Sequence, residues 1–185
     1  DGLKMLQYGH VTARGIPLDE QRAVVVGESG RAAIEATTLV HEVSALAELD
    51  CWEAADTAVR KARELWSPTP ADRYGDLDRP AACLELERGR LDVAEPFAVA
   101  SMRRWQGVSQ TSHTYSGIVL ATIHVRAGEP RGLQLAHGAV TASSRLTSIQ
   151  VRQHLEPLAA ALDAWRGSDA RELARMARQV AATRA

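Results

Sequence analysis

Apolar residues recur along this chain at steps of three and four. Trp52, Ala55, Val59 and Ala62 follow that spacing, as do Leu91, Ala94, Ala98 and, less apolar, Ser101, and again Leu173, Met176 and Val180. Such spacing keeps side chains on one face of an α-helix, so each stripe predicts a helix with one side turned to a core. With the breaks between them, the stripes predict helix pairs at about 33–48 with 52–66, 78–88 with 91–105, 112–127 with 130–144, and 150–165 with 169–183.

Two stretches are compatible with strands instead. Ile118, Val119, Leu120, Ile123 and Val125 are rich in β-branched side chains, and Ala23, Val24, Val25 and Val26 form a short apolar run. The first is assigned to a helix because 118–125 stands before Gly128 much as the helix-prone 82–86 stands before Gly89. Residues 1–30, interrupted by Gly9, Gly15, Pro17, Gly27 and Gly30, show no clear period and are read as a partial helical unit or arm. Residues 67–76, with Pro68, Pro70 and Gly75, read as a loop.

The pairs share an anchor. Asp50, Gly89, Gly128 and Gly167 stand 39 residues apart, each where one predicted helix must end and the next begin. Three are glycines, free to adopt the left-handed conformation that closes a helix, and aspartate is a tolerated substitute. Pro130 suits the first turn of the helix that follows Gly128. Five residues beyond the anchors stand Ala55, Ala94, Leu133 and Glu172, so the small residue that lets two helices approach closely is expected in the first two pairs and lost in the last two. A self-similar period of this length marks helical solenoids. The expected class is all-α, with antiparallel helix-pair repeats arranged as a tetratricopeptide-like right-handed superhelix over 31–185.

The segments 39–50 (LVHEVSALAELD), 89–96 (GRLDVAEP), 124–130 (HVRAGEP) and 169–175 (DARELAR) resemble the C-terminal tetratricopeptide-like region of actinobacterial regulators that begin with an XRE-type helix-turn-helix. The resemblance covers roughly 31 to 185. It implies a sensing or assembly region that binds a protein, a peptide, a small-molecule effector or a second copy of itself. That event would pass to a DNA-reading domain upstream, outside this sequence. The opening residue, Asp1 rather than methionine, is what a processed chain or a piece of a longer protein would show. A free-standing adaptor that joins two proteins is the alternative reading.

Charge agrees with a chain that does not itself grip nucleic acid: 22 basic and 23 acidic residues leave a formal net charge of -1. The two cysteines, Cys51 and Cys83, have no second cysteine or histidine at ligand spacing, which argues against a disulfide framework or structural zinc and for a reducing, cytoplasmic setting. No apolar run is long enough to span a bilayer, and no signal-peptide pattern opens the chain, so no membrane partner is expected.

Catalytic patterns are absent from the sequence. His41-Glu42 is followed by Ala45 where a zinc protease needs its second histidine. Ser29, within Gly27-Glu28-Ser29-Gly30, lacks the spacing of a nucleophile elbow, and no Gly-Lys-Ser/Thr follows to cradle phosphate. His124 and His137 are expected to face inward on the two helices of one pair, as hydrogen-bonded histidines or as ligands. Arg171, Arg175 and Arg178 share a face of the last helix, either as a solvated end or as a patch for an acidic partner. No catalytic residue, metal ligand or cofactor is assigned.

A binding groove is expected on the first helix of each pair, and counting from the anchors places Glu48, Arg79, Glu87, Tyr115, Thr122, Arg126, His154 and Trp165 along it. Aromatic area with an arginine suits a peptide or small ligand bearing a carboxylate. The lysine and asparagine set that holds a C-terminal carboxylate in chaperone-binding relatives is missing.

Overall fold

The computed structural model of the chain describes residues 51–65 and 76–183, with Glu35, Thr38, Leu39, Glu42, Val43, Leu46, Leu49 and Asp50. The arm expected at 1–30, the run 23–26, Ser29, His41, Glu48, Arg184 and the loop at 67–75 lie outside the described residues. The chain divides after Leu77 into two compact units. Among the described residues every regular element is an α-helix, and none is long and apolar enough to cross a membrane.

In the first unit, helix α1 (Trp52–Leu65) buries Ala55, Ala58 and Ala62 and exposes most of its charged residues. Lys61 pairs with Glu35 at 3.0 Å. Both side chains are about half exposed, so the pair adds little to stability.

The second unit contains α2 (Asp78–Glu87), α3 (Leu91–Trp105), α4 (Gln110–Arg126), α5 (Arg131–Ser143), α6 (Ile149–Gln153), α7 (Leu155–Asp163) and α8 (Ser168–Ala182). Consecutive long helices pack on one another: α2 on α3, α3 on α4, α4 on α5, and α7 on α8. Alternate helices also meet, α2 with α4, α4 with α7, and α5 with α8.

The turns at the anchors share one hydrogen-bond pattern. Asp50, Gly89 and Gly128 have φ of 55°, 74° and 73°. The amide that follows each reaches back five residues, Cys51 to Leu46 O, Arg90 to Glu85 O and Glu129 to His124 O, at 2.8 to 3.0 Å. This bond satisfies a helix-end carbonyl that would otherwise lack a partner. Gly167 departs from it, with φ 142° and ψ 156°, because α7 ends four residues earlier at Asp163 and the chain crosses to α8 in a more extended form.

The β-branched run in α4 is helical because α4 has a core on two sides. Ile118, Ala121 and Val125 join one apolar cluster with Leu155, Leu158, Leu162 and Leu173, while Val119, Leu120 and Ile123 join another with Leu86, Ala94 and Ala98. A helix enclosed in this way needs apolar residues around most of its circumference, so its sequence shows no amphipathic stripe. Two buried hydroxyls pair with each other. Ser101 and Ser116, both fully buried, meet Oγ to Oγ at 2.6 Å across α3 and α4, and Ser116 Oγ also lies 3.0 Å from Ser112 O. Ser101→Ala is expected to cost about 1 kcal/mol, read as a lower urea midpoint at unchanged slope. An unchanged midpoint would mean that the serine pair contributes nothing.

Two expectations need correction. The helix predicted at 150–165 is broken into α6 and α7 at His154. Pro157 has no amide hydrogen for Gln153 O and its ring crowds that carbonyl, so the helix restarts at Leu155 with the proline in its tolerated first turn. The close-packing small residue is also not lost in the third pair. Ala55 and Ala94 are fully buried as expected, but after Gly128 the role falls to Gly132, four residues on instead of five. A Cβ there would lie 2.8 Å from Val125 N and 2.9 Å from His124 C, so only glycine lets the first turn of α5 rest on the last turn of α4.

Candidate binding face

Helices α2, α4 and α7 pack in that order, and the described residues assigned to the groove lie on them or, for His154 and Trp165, next to the ends of α7. The structure brings them together at two places. Arg79 in the first turn of α2, Tyr115 on α4 and His154 at the α6–α7 break form one cluster. The Arg79 guanidinium lies 4.3 Å from the centre of the Tyr115 ring. The Tyr115 and His154 rings stack with centroids 4.1 Å apart, and the Tyr115 hydroxyl is bonded to His154 Nε2. Burial, and secondarily the positive charge of Arg79, hold His154 down to about 4, so its ring is neutral near pH 7. The cation–π contact and the aromatic stack both order the cluster.

The second place lies at the other end of the same helices. Trp165, just beyond α7, donates its indole N–H to Val125 O at 2.6 Å. Arg126, at the end of α4, donates from Nη1 to Leu86 O at 3.1 Å. Trp165 stands 39 residues after Arg126, and Val125 stands 39 after Leu86. The same position in successive helix pairs therefore reaches the same carbonyl of the pair before it. Tyr115 and His154 are likewise 39 apart. Glu87, one period before Arg126, is exposed and stands 3.9 Å from its Nη2.

A pocket of about 620 Å³ opens between these ends. Val125 and Arg126 of α4 and Gly128 of the following turn form one side; Ala160 and Ala161 of α7, then Ala164 and Trp165, form the other. The alanines leave the space that larger residues would fill. This is within the usual size for a small-molecule site, and an apolar wall beside a charged group is the usual lining.

Thr122 does not serve the face as expected. It is buried, and its hydroxyl donates to Ile118 O at 2.8 Å within its own helix. The paired inward histidines are also corrected: His124 is buried but His137 is exposed on α5. His124 Nδ1 lies 3.0 Å from Glu129 Oε2, short of hydrogen-bond alignment, and Nε2 lies 3.6 Å from Glu95 Oε1. Arg131 bonds both glutamates, at 2.6 and 2.9 Å. Its hydrogen bond is the main cause that holds the Glu129 carboxyl below the usual carboxylate range. Among the described residues no three histidine, cysteine or carboxylate side chains are placed to hold a metal.

The arginines of α8 are engaged at the surface. Arg175 pairs with Glu172 at 2.5 Å, Arg178 with Asp163 and Glu156, and Arg171 Nε donates to Gly167 O. This is a paired, solvated face.

Sequence reasoning reached Arg126 and Trp165 but not the alanines between them, whose contribution is the room they leave. The one signal available was the run of small residues Ala159–Ala161 with Ala164. No protein-family model, curated protein or solved structure matches this chain.

Proposed function

We propose that the chain is a tetratricopeptide-like binding region that acts without catalysis. In this reading the helix pairs stack as a right-handed superhelix, and α2, α4 and α7 line its concave face. A protein segment, peptide or small effector docks there, and a cytoplasmic, self-associating transcriptional regulator transmits that event to a DNA-reading domain outside this sequence. The observation that carries the reading is the recurrence of side-chain links at one period, Trp165 to Val125 O and Arg126 to Leu86 O. A repeated link of this kind is what stacked, self-similar helix pairs would build. The rows of aromatic and arginine side chains support recognition, since such groups supply most of the energy at binding surfaces.

The test is a two-dimensional NMR titration of the isotope-labelled chain against a peptide library. Binding is expected to move amides along α2, α4 and α7, with Tyr115→Ala weakening it at least tenfold. Amide shifts confined to α3, α5 and α8, or chemical turnover of a bound peptide, would overturn the reading.

A further inference from the structure

The pocket between the ends of α4 and α7 has a more specific chemistry than the rest of the face. We propose that it is a site for a small organic acid, a carboxylate carried on a flat or chain-like apolar body. The inference rests on the reading of the α2–α4–α7 face as the binding face, and assigns the ligand class of one part of it.

Three observations support the assignment. The pocket holds about 620 Å³, room for a small molecule and too little for a folded partner. Its walls are mainly apolar, and one of them is an indole fixed in place because its N–H is already committed to Val125 O. A fixed aromatic wall rewards a flat or extended apolar body without the entropy cost of ordering the side chain. The charged group in the lining is Arg126, held in position by Nη1 on Leu86 O, while its Nε and Nη2 have no hydrogen bond among the described residues. A guanidinium with donors in reserve is the fork that matches a carboxylate.

Two other charges act near Arg126. Glu87 lies 3.9 Å from Arg126 Nη2, but its side chain is about half exposed and can turn to solvent when a carboxylate arrives. The ends of α4 and α7 present partial negative charge near the pocket, which by itself favours a cation. The carbonyl of Val125, a residue of the lining, already accepts from Gly128 N and Trp165 Nε1, which leaves the full charge of Arg126 dominant.

The experiment titrates the labelled chain with 3-phenylpropionate and with decanoate, each beside its primary amide, and follows the Trp165 indole N–H, assigned through Trp165→Phe. The acids are expected to shift that resonance saturably, with the amides at least tenfold weaker. Arg126→Gln is expected to bring the acids down to the level of the amides. The double variant Ala160→Leu/Ala164→Leu, altered only at exposed positions, is expected to abolish binding by filling the pocket. Equal binding of acid and amide to the unaltered chain, or no shift at Trp165, would overturn the proposal without any variant needing to fold. Peptides that still move α2 and α4 amides would then show that only the pocket assignment has failed; loss of both signals would remove the binding-face reading as well.

Discussion

Gly132→Ala is expected to destabilise the protein by about 2 kcal/mol, although alanine is the better helix former by about 1 kcal/mol. The added methyl would meet Val125 N at 2.8 Å and His124 C and O at 2.9 and 3.0 Å. These are backbone atoms, and no rotamer change can move them aside. Either α5 lifts from α4, opening the core around Val125, Ala136 and Val140, or the last turn of α4 distorts with its carbonyl at His124. Gly138 on the same helix supplies the opposite sign. It is exposed, and a Cβ there meets nothing within 4 Å, so Gly138→Ala is expected to gain about 0.4–1 kcal/mol. Urea unfolding of the two variants beside the parent decides the matter. A Gly132→Ala protein as stable as the parent would show that the helices do not pack this closely.

Acidification from pH 7 to pH 5 is expected to remove about 2 kcal/mol of stability through His154 alone. The folded protein holds this ring down to about 4, against an ordinary 6.5, chiefly by burial and then by the charge of Arg79. Between these values the unfolded chain binds the proton and the folded one does not, so protons favour unfolding there. The contribution is fully present above about pH 6.5, declines as pH falls, and is gone below about 4, a total of about 3 kcal/mol. Carboxylates such as Glu129, Asp163 and Glu172, held low mainly by hydrogen bonds from arginine, lose their contribution at more acid pH, below their ordinary values of 4.5, 3.8 and 4.5. The histidine effect is thus separated by its window. His154→Gln should flatten the stability profile between pH 6.5 and 5, and Arg79→Gln should reduce its slope by letting the ring charge more easily. A slope in that window unaltered by His154→Gln would assign it to other groups.

How much of this was legible in the sequence depended on which physical constraint was local. The turns at Asp50, Gly89 and Gly128 were readable because a positive φ selects residue type at a single position. The helical state of 118–125 was readable only from its place relative to Gly128, since composition alone pointed toward a strand and the reason, a core on both sides of α4, is tertiary. The break at His154 has a visible cause in Pro157, which the assignment of one helix over 150–165 did not take into account. Gly132 was missed because one fixed offset of five residues was counted from every turn, and the approach of two helices can slide by one residue. Counting slots from the anchors placed Arg79, Tyr115, Arg126, His154 and Trp165 where side chains from neighbouring helices do meet, but failed at Thr122. That position turns inward on a helix with two buried sides, and its hydroxyl bonds to its own backbone. The stacking of Tyr115 on His154 and the space beside Trp165 depend on how far apart helices stand, which spacing along the chain does not encode.

The links between helix pairs also bear on how the protein is made. In the second unit each helix packs on one next to it or one pair away, and the side chains that tie α2 to α4 and α4 to α7 reach only 39 or 40 residues along the chain. Closing loops of that length costs little entropy, and the cost grows only slowly with length. Topologies dominated by such near-neighbour contacts fold quickly. Each pair finds the surface it needs on residues synthesised shortly before it, so native structure can build up behind the ribosome without waiting for a distant segment to appear.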